Sequence, residues 1–317
     1  MGPEMRLVFL GSGEFGIPAL EHLTRQELAP RLVISQPSRP AGRGRRPAPP
    51  PLLAAAVALG PPVAQPERIA EPQALALLRE AAPDFLVVVD YGQILPAAVL
   101  ALPRAAAVNL HGSLLPRWRG AAPVARAILA GDRVSGVTTI RMDAGVDTGA
   151  ILMQKEVPIQ PHDTTGDLEA RLARTGAPLL EATLRGLAAG ALEAKPQPRA
   201  GATRAPRLGV EEARLDWSLA AEDLERRIRA FNPRPGAWTV LGEERLKVWH
   251  ARPAHAEKAP GDALPGRVAR ATRDGVTVEC GTGALELLEV QFAGGRRLSA
   301  EEAIHGRKIR AGQRLGA

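Results

Sequence analysis

The sequence predicts an α/β protein: an N-terminal Rossmann-like, doubly wound parallel sheet followed by a small C-terminal β-barrel of OB-like type. Three observations carry that expectation. The apolar runs "RLVFLG" (6–11), "RLVIS" (31–35), "DFLVVVD" (84–90) and "AAVNLH" (106–111) are too continuous for half-exposed strands and suit parallel strands covered on both faces. Stretches of helical periodicity separate them, as successive βαβ units require. Beyond residue 209 the pattern changes to short β-like runs between turns, the mark of a small barrel or sandwich.

The first run ends at Gly11, and Ile17, Leu20 and Leu23 continue as a helix. "PQALALLREAA" (72–82) again spaces its leucines helically. "TTGDLEARLARTGAPLLEATLRGLAAG" (164–190) opens on Thr164 with Asp167 three residues on, a cap-like pair, before its own periodic leucines. This long helix closes the first domain, expected over residues 1–193. "AKPQPRAGATRAPRLG" (194–209) mixes Pro, Gly and Arg without periodicity and reads as a linker. The second domain, 210–317, begins with "DWSLAAEDLERRIRAFNPRPGAW" (216–238), a helix with Ser218 as its cap. Leu224, Ile228 and Phe231 share one face there, and Arg226, Arg227 and Arg229 fall elsewhere. "WTVL", "RLKVWHA", "GRVARAT", "GVTVEC" and "LELLEVQ" then supply the barrel strands.

Composition narrows the function. The 317 residues, 45% hydrophobic and 24% charged, suit a soluble protein of two domains. A single cysteine, Cys280, excludes an internal disulfide and a multi-thiolate metal centre. Within "GVTVEC" it reads as a small buried hydrophobe. No apolar run has the length of a membrane span and no secretory pattern opens the chain, which points to the cytoplasm. The net charge of +7 favours a polyanionic partner such as nucleic acid, although an arginine-rich composition alone also produces it.

"VFLGSGEFGIP" (8–18) carries Gly11, Gly13 and Gly16 in the spacing of a dinucleotide site. Such a site needs an acidic residue about twenty positions on to hold the ribose. "ISQPSRP" offers none, and Arg39 would serve only the extra phosphate of NADP. More chemistry lies in "AVNLHGSLLPRWRGAAPVARAI" (107–128). Strand alternation points Asn109 and His111 the same way, at the strand end where open parallel sheets hold ligands. An amide N–H and an imidazole N–H suit an oxyanion forming on a carbonyl under attack. The same pair also reads as a strand-capping Asn and a satisfied buried His. In "RMDAGVDTGAI" (141–151), Asp143 and Asp147 are turn-formers by default; Asp147 orients His111 if the loop folds back over the strand end.

Taken together, "NLHGSLLPRWRGAAP" and "DAGVDTG" resemble the folate-dependent formyltransferases. "SQPSRPAGRGRR", "YGQILP" (91–96) and the 216–238 stretch extend the resemblance over almost the whole chain, and to the branch of methionyl-tRNA formyltransferases. Sugar and glycinamide ribonucleotide formyltransferases share fewer of these pieces. The resemblance implies the formyltransferase fold and transfer of a formyl group from 10-formyltetrahydrofolate to the α-amino group of methionyl-initiator tRNA. It also implies a monomer with no metal and no DNA or membrane partner.

By the same resemblance, Asn109 donates to the oxyanion, and His111 stabilises it and helps carry a proton to the departing folate nitrogen. Asp147 fixes the imidazole and takes up the amine's proton. Ser113, Leu114, Leu115 and Pro116, with Ile94 and Leu95, are expected against the flat pterin, which needs apolar walls. "SRPAGRGRRPAPPP" (38–51) is by composition a solvated charged loop. The resemblance makes its Arg39, Arg43, Arg45 and Arg46 the residues that reach the acceptor end of the tRNA. Arg226, Arg227 and the "RAFNPRP" turn would add a second basic surface.

The sequence departs from the resembled family in three places. Ser12-Gly13 stands in place of Thr-Pro, Asp90 in place of a small apolar residue, and Arg204 in place of a common tyrosine. Gly13 therefore completes the dinucleotide pattern through one substitution. A carboxylate at Asp90 beside His111 would favour the charged form of the imidazole. A non-catalytic RNA-binding module is a further alternative, one that leaves the Asn, His and Asp set idle.

Overall fold

An unbroken apolar strand can be satisfied only at the centre of a sheet covered on both faces, and β1 (Leu7–Gly11) is buried along its whole length. The computed structural model describes residues 5–41, 46–254, 264–273, 275–306 and 308–316. They form two compact units that interleave along the chain. Unit 1 comprises Met1–Pro123, Val134–Pro158 and Glu169–Ala205; unit 2 comprises Val124–Arg133, Ile159–Leu168 and Pro206–Ala317.

Unit 1 contains β1, β2 (Leu32–Ile34), β3 (Arg39–Ala41), β4 (Arg46–Ala48), β5 (Val63–Ala64), β6 (Phe85–Val89), β7 (Ala106–His111), β8 (Val134–Arg141) and β9 (Ala150–Pro158). Seven of these make one sheet in the order β5-β2-β1-β6-β7-β8-β9, and β3 pairs with β4 apart from it. The five strands from β5 to β7 are parallel. β8 and β9 then run antiparallel, and sequence periodicity does not reveal them. β8 buries Ser135, Thr138 and Thr139 in the middle of its run, and β9 buries only Leu152 and Val157 among its charged residues. Helices α1 (Ile17–Arg25), α2 (Pro51–Leu59), α3 (Pro72–Ala81) and α4 (Ala97–Leu100) connect the parallel strands. One side of the sheet is packed with Val8, Leu10, Ile34, Leu78, Leu86 and Val88.

The glycines of the first turn are packing glycines. A Cβ at Gly11 or Gly16 would lie 2.9 or 2.6 Å from Leu52 Cδ1 of α2. At Gly13 it would lie 1.6 Å from Asp90 Oδ2, so the carboxylate occupies the volume that any side chain at position 13 would need.

α5 (Pro123–Leu129) and the long α6 (Thr165–Ala188) follow. The cap of α6 is reciprocal, as the sequence predicts: Asp167 N donates to Thr164 Oγ1 at 3.2 Å and Thr164 N to Asp167 Oδ2 at 3.1 Å. Unit 2 then adds α7 (Ala221–Ala230), β10 (Trp238–Leu241), β11 (Glu244–Ala254), β12 (Val268–Thr272), β13 (Gly275–Glu279), β14 (Ala284–Phe292), β15 (Arg297–Ser299) and α8 (Ala300–His305). α7 is shorter than its periodic sequence suggests. Ser218 does not cap it; its hydroxyl donates to Asp216 Oδ1 at 2.7 Å in the preceding turn.

The sheet of unit 2 is antiparallel, in the order β10-β11-β14-β13-β12 with β15 beside β14. Its two edges share one partner. Gly316 N donates to Val240 O of β10 at 2.8 Å, and Val268 N of β12 donates to Gln313 O at 2.8 Å, so the run 313–316 closes the sheet into a barrel. Leu224, Ile228, Phe231, Val248, Val276, Val278 and Leu287 fill the core. Cys280 is buried among them, and burial pushes its thiol pKa up to about 12. Among the described residues no helix is long and apolar enough to cross a membrane.

Candidate active site

Three stretches of unit 1 meet at the C-terminal end of β7. The first is β7 itself, in register with β6 through Val88 and Asn109 and with β8 through His111 and Thr138. Alternation sends Leu110 to the far side, against α6, where a Cβ on Gly176 would lie 2.8 Å from Leu110 Cδ2. Asn109 and His111 are thereby turned to the opposite face, as their spacing predicts.

The second stretch is the turn after β7. His111 is buried (7% exposed), and its Nε2 lies 2.9 Å from Trp118 O. A carbonyl can only accept, so the proton of the neutral imidazole is assigned to Nε2. Nδ1 faces Asp147 Oδ2 at 3.6 Å. Trp118 has φ +64°, a conformation that L residues adopt at a cost of order 1–3 kcal/mol and that tends to cluster at working sites.

The third stretch is the loop between β8 and β9. Asp143 is the turn-former expected from sequence, accepting from Gly145 N at 3.0 Å and Thr148 Oγ1 at 2.7 Å. Asp147 has a different place. At φ +52° it points its carboxylate inward, Oδ1 accepting from Asn109 Nδ2 at 3.1 Å and Oδ2 from Gly120 N at 2.9 Å. The structure thus brings Asn109, His111 and Asp147 together, Asn109 hydrogen-bonded to the Asp147 carboxylate and His111 Nδ1 at ion-pair distance from it.

The Ser113–Pro116 turn is held from behind. Thr138 Oγ1 donates to Ser113 O at 2.6 Å, and Gln154 Nε2 donates to Leu115 O at 2.8 Å. Ser113 is fully buried, with its hydroxyl donating to Arg117 O at 2.7 Å. Leu115 and Leu95 are core residues, Leu114 packs over Gly136 and Pro116 is half-buried. Ile94 stands apart at 76% exposed. Asp90, expected beside His111, has its carboxylate over Gly13, and its carbonyl accepts from Ser12 N at 3.0 Å.

Sequence reading missed the residues that brace the site from 195–205, a stretch it treats as linker. Thr203 Oγ1 accepts from Trp118 N at 2.9 Å and Thr203 O from Arg119 N at 2.9 Å. Gln197 Nε2 donates to Asp147 O at 2.8 Å and Gly149 O at 2.7 Å. The available signal was "KPQP", where Pro196 and Pro198 hold Gln197 extended, a rigidity that a flexible tether does not need.

Among the arginines of 38–51, Arg39 is exposed and pairs with Glu67 at 3.1 Å. Arg43 and Arg45 lie outside the described residues, as does the side chain of Arg46. In unit 2, Arg226 is paired with Asp223 and Arg227 stacks 5.7 Å from the Phe231 ring. A separate cationic face lies on the barrel. Trp238, Lys247, Gln291 and Arg297 sit opposite one another on four neighbouring strands, hence on one face. Arg245 lies 3.8 Å over the Trp238 ring and Arg297 3.8 Å over the Trp249 ring. Partial burial, with the charges of Arg245 and Arg297, lowers the Lys247 ammonium below its ordinary pKa.

Residues 5–184 match the family model for formyl transferase, and residues 207–308 that for the formyl transferase C-terminal domain. The methionyl-tRNA formyltransferase of Aromatoleum aromaticum is 47% identical over 313 residues, 99% of this chain and 98% of that protein. That of Acidithiobacillus ferrooxidans is 47% identical over the full length of both chains. Among solved structures, HypX from Aquifex aeolicus in complex with tetrahydrofolic acid superposes with a TM-score of 0.64 at 17% identity, covering 95% of this chain and 47% of HypX. The sugar 3N-formyl transferase WlaRD superposes at 0.65 and 16% identity, covering 93% of this chain and 100% of WlaRD. These two likenesses bear on the fold.

Proposed function

This chain belongs to the formyl transferase family, and we propose that it transfers the formyl group of 10-formyltetrahydrofolate to the α-amino group of methionyl-initiator tRNA, as a cytoplasmic monomer. The observation that carries this reading is the Asn109–Asp147–His111 group at the end of β7. An α-amino group titrates near pH ~8, so a useful fraction is already neutral and needs no strong base to attack the formyl carbon. Attack forms a C–N bond and turns the formyl oxygen into an oxyanion. Asn109 directs one amide hydrogen to Asp147 and has a second to offer that oxygen. The Asp147 carboxylate takes the proton released by the amine. His111 gains and loses its proton at Nδ1, the atom that faces Asp147, and returns a proton to the folate nitrogen as the old C–N bond breaks.

The Ser113–Pro116 turn, Ile94 and Leu95 are assigned to the pterin side of the donor: the turn is held rigidly by Thr138 and Gln154, and Ile94 leaves an apolar side chain exposed. Arg39, Arg43, Arg45 and Arg46 are assigned to the tRNA acceptor end. The Arg245–Lys247–Arg297 face supports further RNA contact, since crowded cations gain most from a polyanion. Catalysis is assigned to the domain of residues 1–193 together with the 195–205 stretch that braces its site, and further RNA grip to the domain of residues 210–317. Incubation with 10-formyltetrahydrofolate and charged initiator tRNA should yield formylmethionine. Formylation of an amino sugar nucleotide or glycinamide ribonucleotide, with methionyl-tRNA left untouched, would overturn the assignment.

A further inference from the structure

The catalytic aspartate is held at both ends. Its carboxylate is fixed by Asn109 and Gly120, and its backbone by Gln197. All hydrogen-bonding capacity of the Gln197 amide is engaged. Both Nε2 hydrogens go to loop carbonyls, Asp147 O at 2.8 Å and Gly149 O at 2.7 Å. Oε1 accepts twice, from Arg119 Nε at 3.0 Å and Nη2 at 2.7 Å. A guanidinium only donates and the two carbonyls only accept, so the amide has one possible orientation.

Arg119 is the residue between Trp118, whose carbonyl fixes His111, and Gly120, whose N–H fixes Asp147. Its own backbone is tied to the same strap, N to Thr203 O at 2.9 Å and O to Ala205 N at 2.6 Å. A Cβ on Gly120 would lie 2.7 Å from Ala205 O, so the strap presses directly against the turn. Two loops distant in sequence, one holding His111 and the other carrying Asp147, meet directly at Gly120 N and Asp147 Oδ2 and are tied a second time through Arg119, Gln197 and the carbonyls of Asp147 and Gly149.

We propose that Gln197 and Arg119 are positioning residues for formyl transfer: their contact sets the separation of His111 and Asp147, and 195–205 is a catalytic strap. The proposal rests on the assignment of Asp147 given above. Neither residue touches the reacting atoms. Each acts through the Asp147 backbone, whose left-handed conformation needs an external hold.

The test measures kcat, both KM values and the melting temperature for Gln197→Ala, Gln197→Glu and Arg119→Ala. Displacing a catalytic group by about 1 Å can cost on the order of 100-fold. Gln197→Ala should lower kcat roughly 10- to 100-fold, with KM for methionyl-tRNA and the melting temperature nearly unchanged. Gln197→Glu keeps size and the Arg119 contact but loses both donors, so it should be equally slow. In an Asp147→Asn background, Gln197→Ala should cause no further loss. Wild-type kcat in Gln197→Glu, or full multiplicative loss in the double variant, would overturn the proposal. Normal turnover in Asp147→Asn alone would instead remove the assignment of Asp147, and the strap's role with it.

Discussion

Asn109→Ala and His111→Ala each remove one donor from the group at the end of β7. Loss of a comparable oxyanion donor costs about 10²- to 10³-fold in turnover, and single-turnover formylation should show a fall of that order while tRNA affinity is retained. Weakened tRNA binding in a folded His111→Ala protein would place His111 in the RNA site instead. Elsewhere in unit 1, Arg6 grips Asp84 with Nε at 3.1 Å, Nη2 at 2.8 Å and its backbone N at 2.9 Å. The side-chain hydrogen bond from Arg6 lowers the Asp84 carboxyl to about 2. A depressed carboxylate stabilises the fold above its unfolded value near ~3.9 and loses that contribution as pH falls towards 2. Melting curves of Asp84→Asn should therefore lie below wild type by roughly 1–2 kcal/mol at pH 6 and converge with it near pH ~2. Sequence reveals Asn109 and His111 because strand alternation is local. It does not reveal Asp84 or Gln197, whose partners lie 78 residues away in each chief contact.

At the scale of elements, legibility follows periodicity. Four of the five parallel strands and α6 announce themselves as apolar runs and a cap pair, whereas the two-residue edge strand β5 carries no such run. β8 and β9 do not announce themselves either, because threonine hydroxyls inside the sheet find partners, as Thr139 does with Thr183 at 2.8 Å. The strap fails for the opposite reason: its order comes from hydrogen bonds to other segments rather than from its own pattern. α8 shows what a local signal can carry. Ser299 Oγ accepts from Glu302 N at 3.2 Å, and Glu302 Oε2 accepts from Ser299 N at 3.0 Å. Ser299→Ala should cost about 1 kcal/mol, visible as a melting temperature lowered by roughly 2–4 °C. Formyl transfer at room temperature should not change.

For the whole molecule, the net charge of +7 becomes informative once the cations are located. Arg226 and Arg229 of α7 are paired with Asp223 and Glu225, so the RNA contact proposed above rests on the 38–51 segment and the stacked barrel face. Arg43→Ala and Arg45→Ala should each weaken tRNA binding and flatten its log–log salt dependence by about one unit. Identical affinities and slopes in both variants would remove the loop from the RNA interface. The two units also interleave: Thr165 Oγ1 donates to Ala230 O at 2.7 Å and Gly166 N to Asn232 O at 3.2 Å, both within unit 2. One break in the chain therefore cannot separate the units whole. A C-terminal piece grafted from one relative to another would arrive without 124–133 and 159–168, and modular exchange in such an enzyme has to move three segments at once.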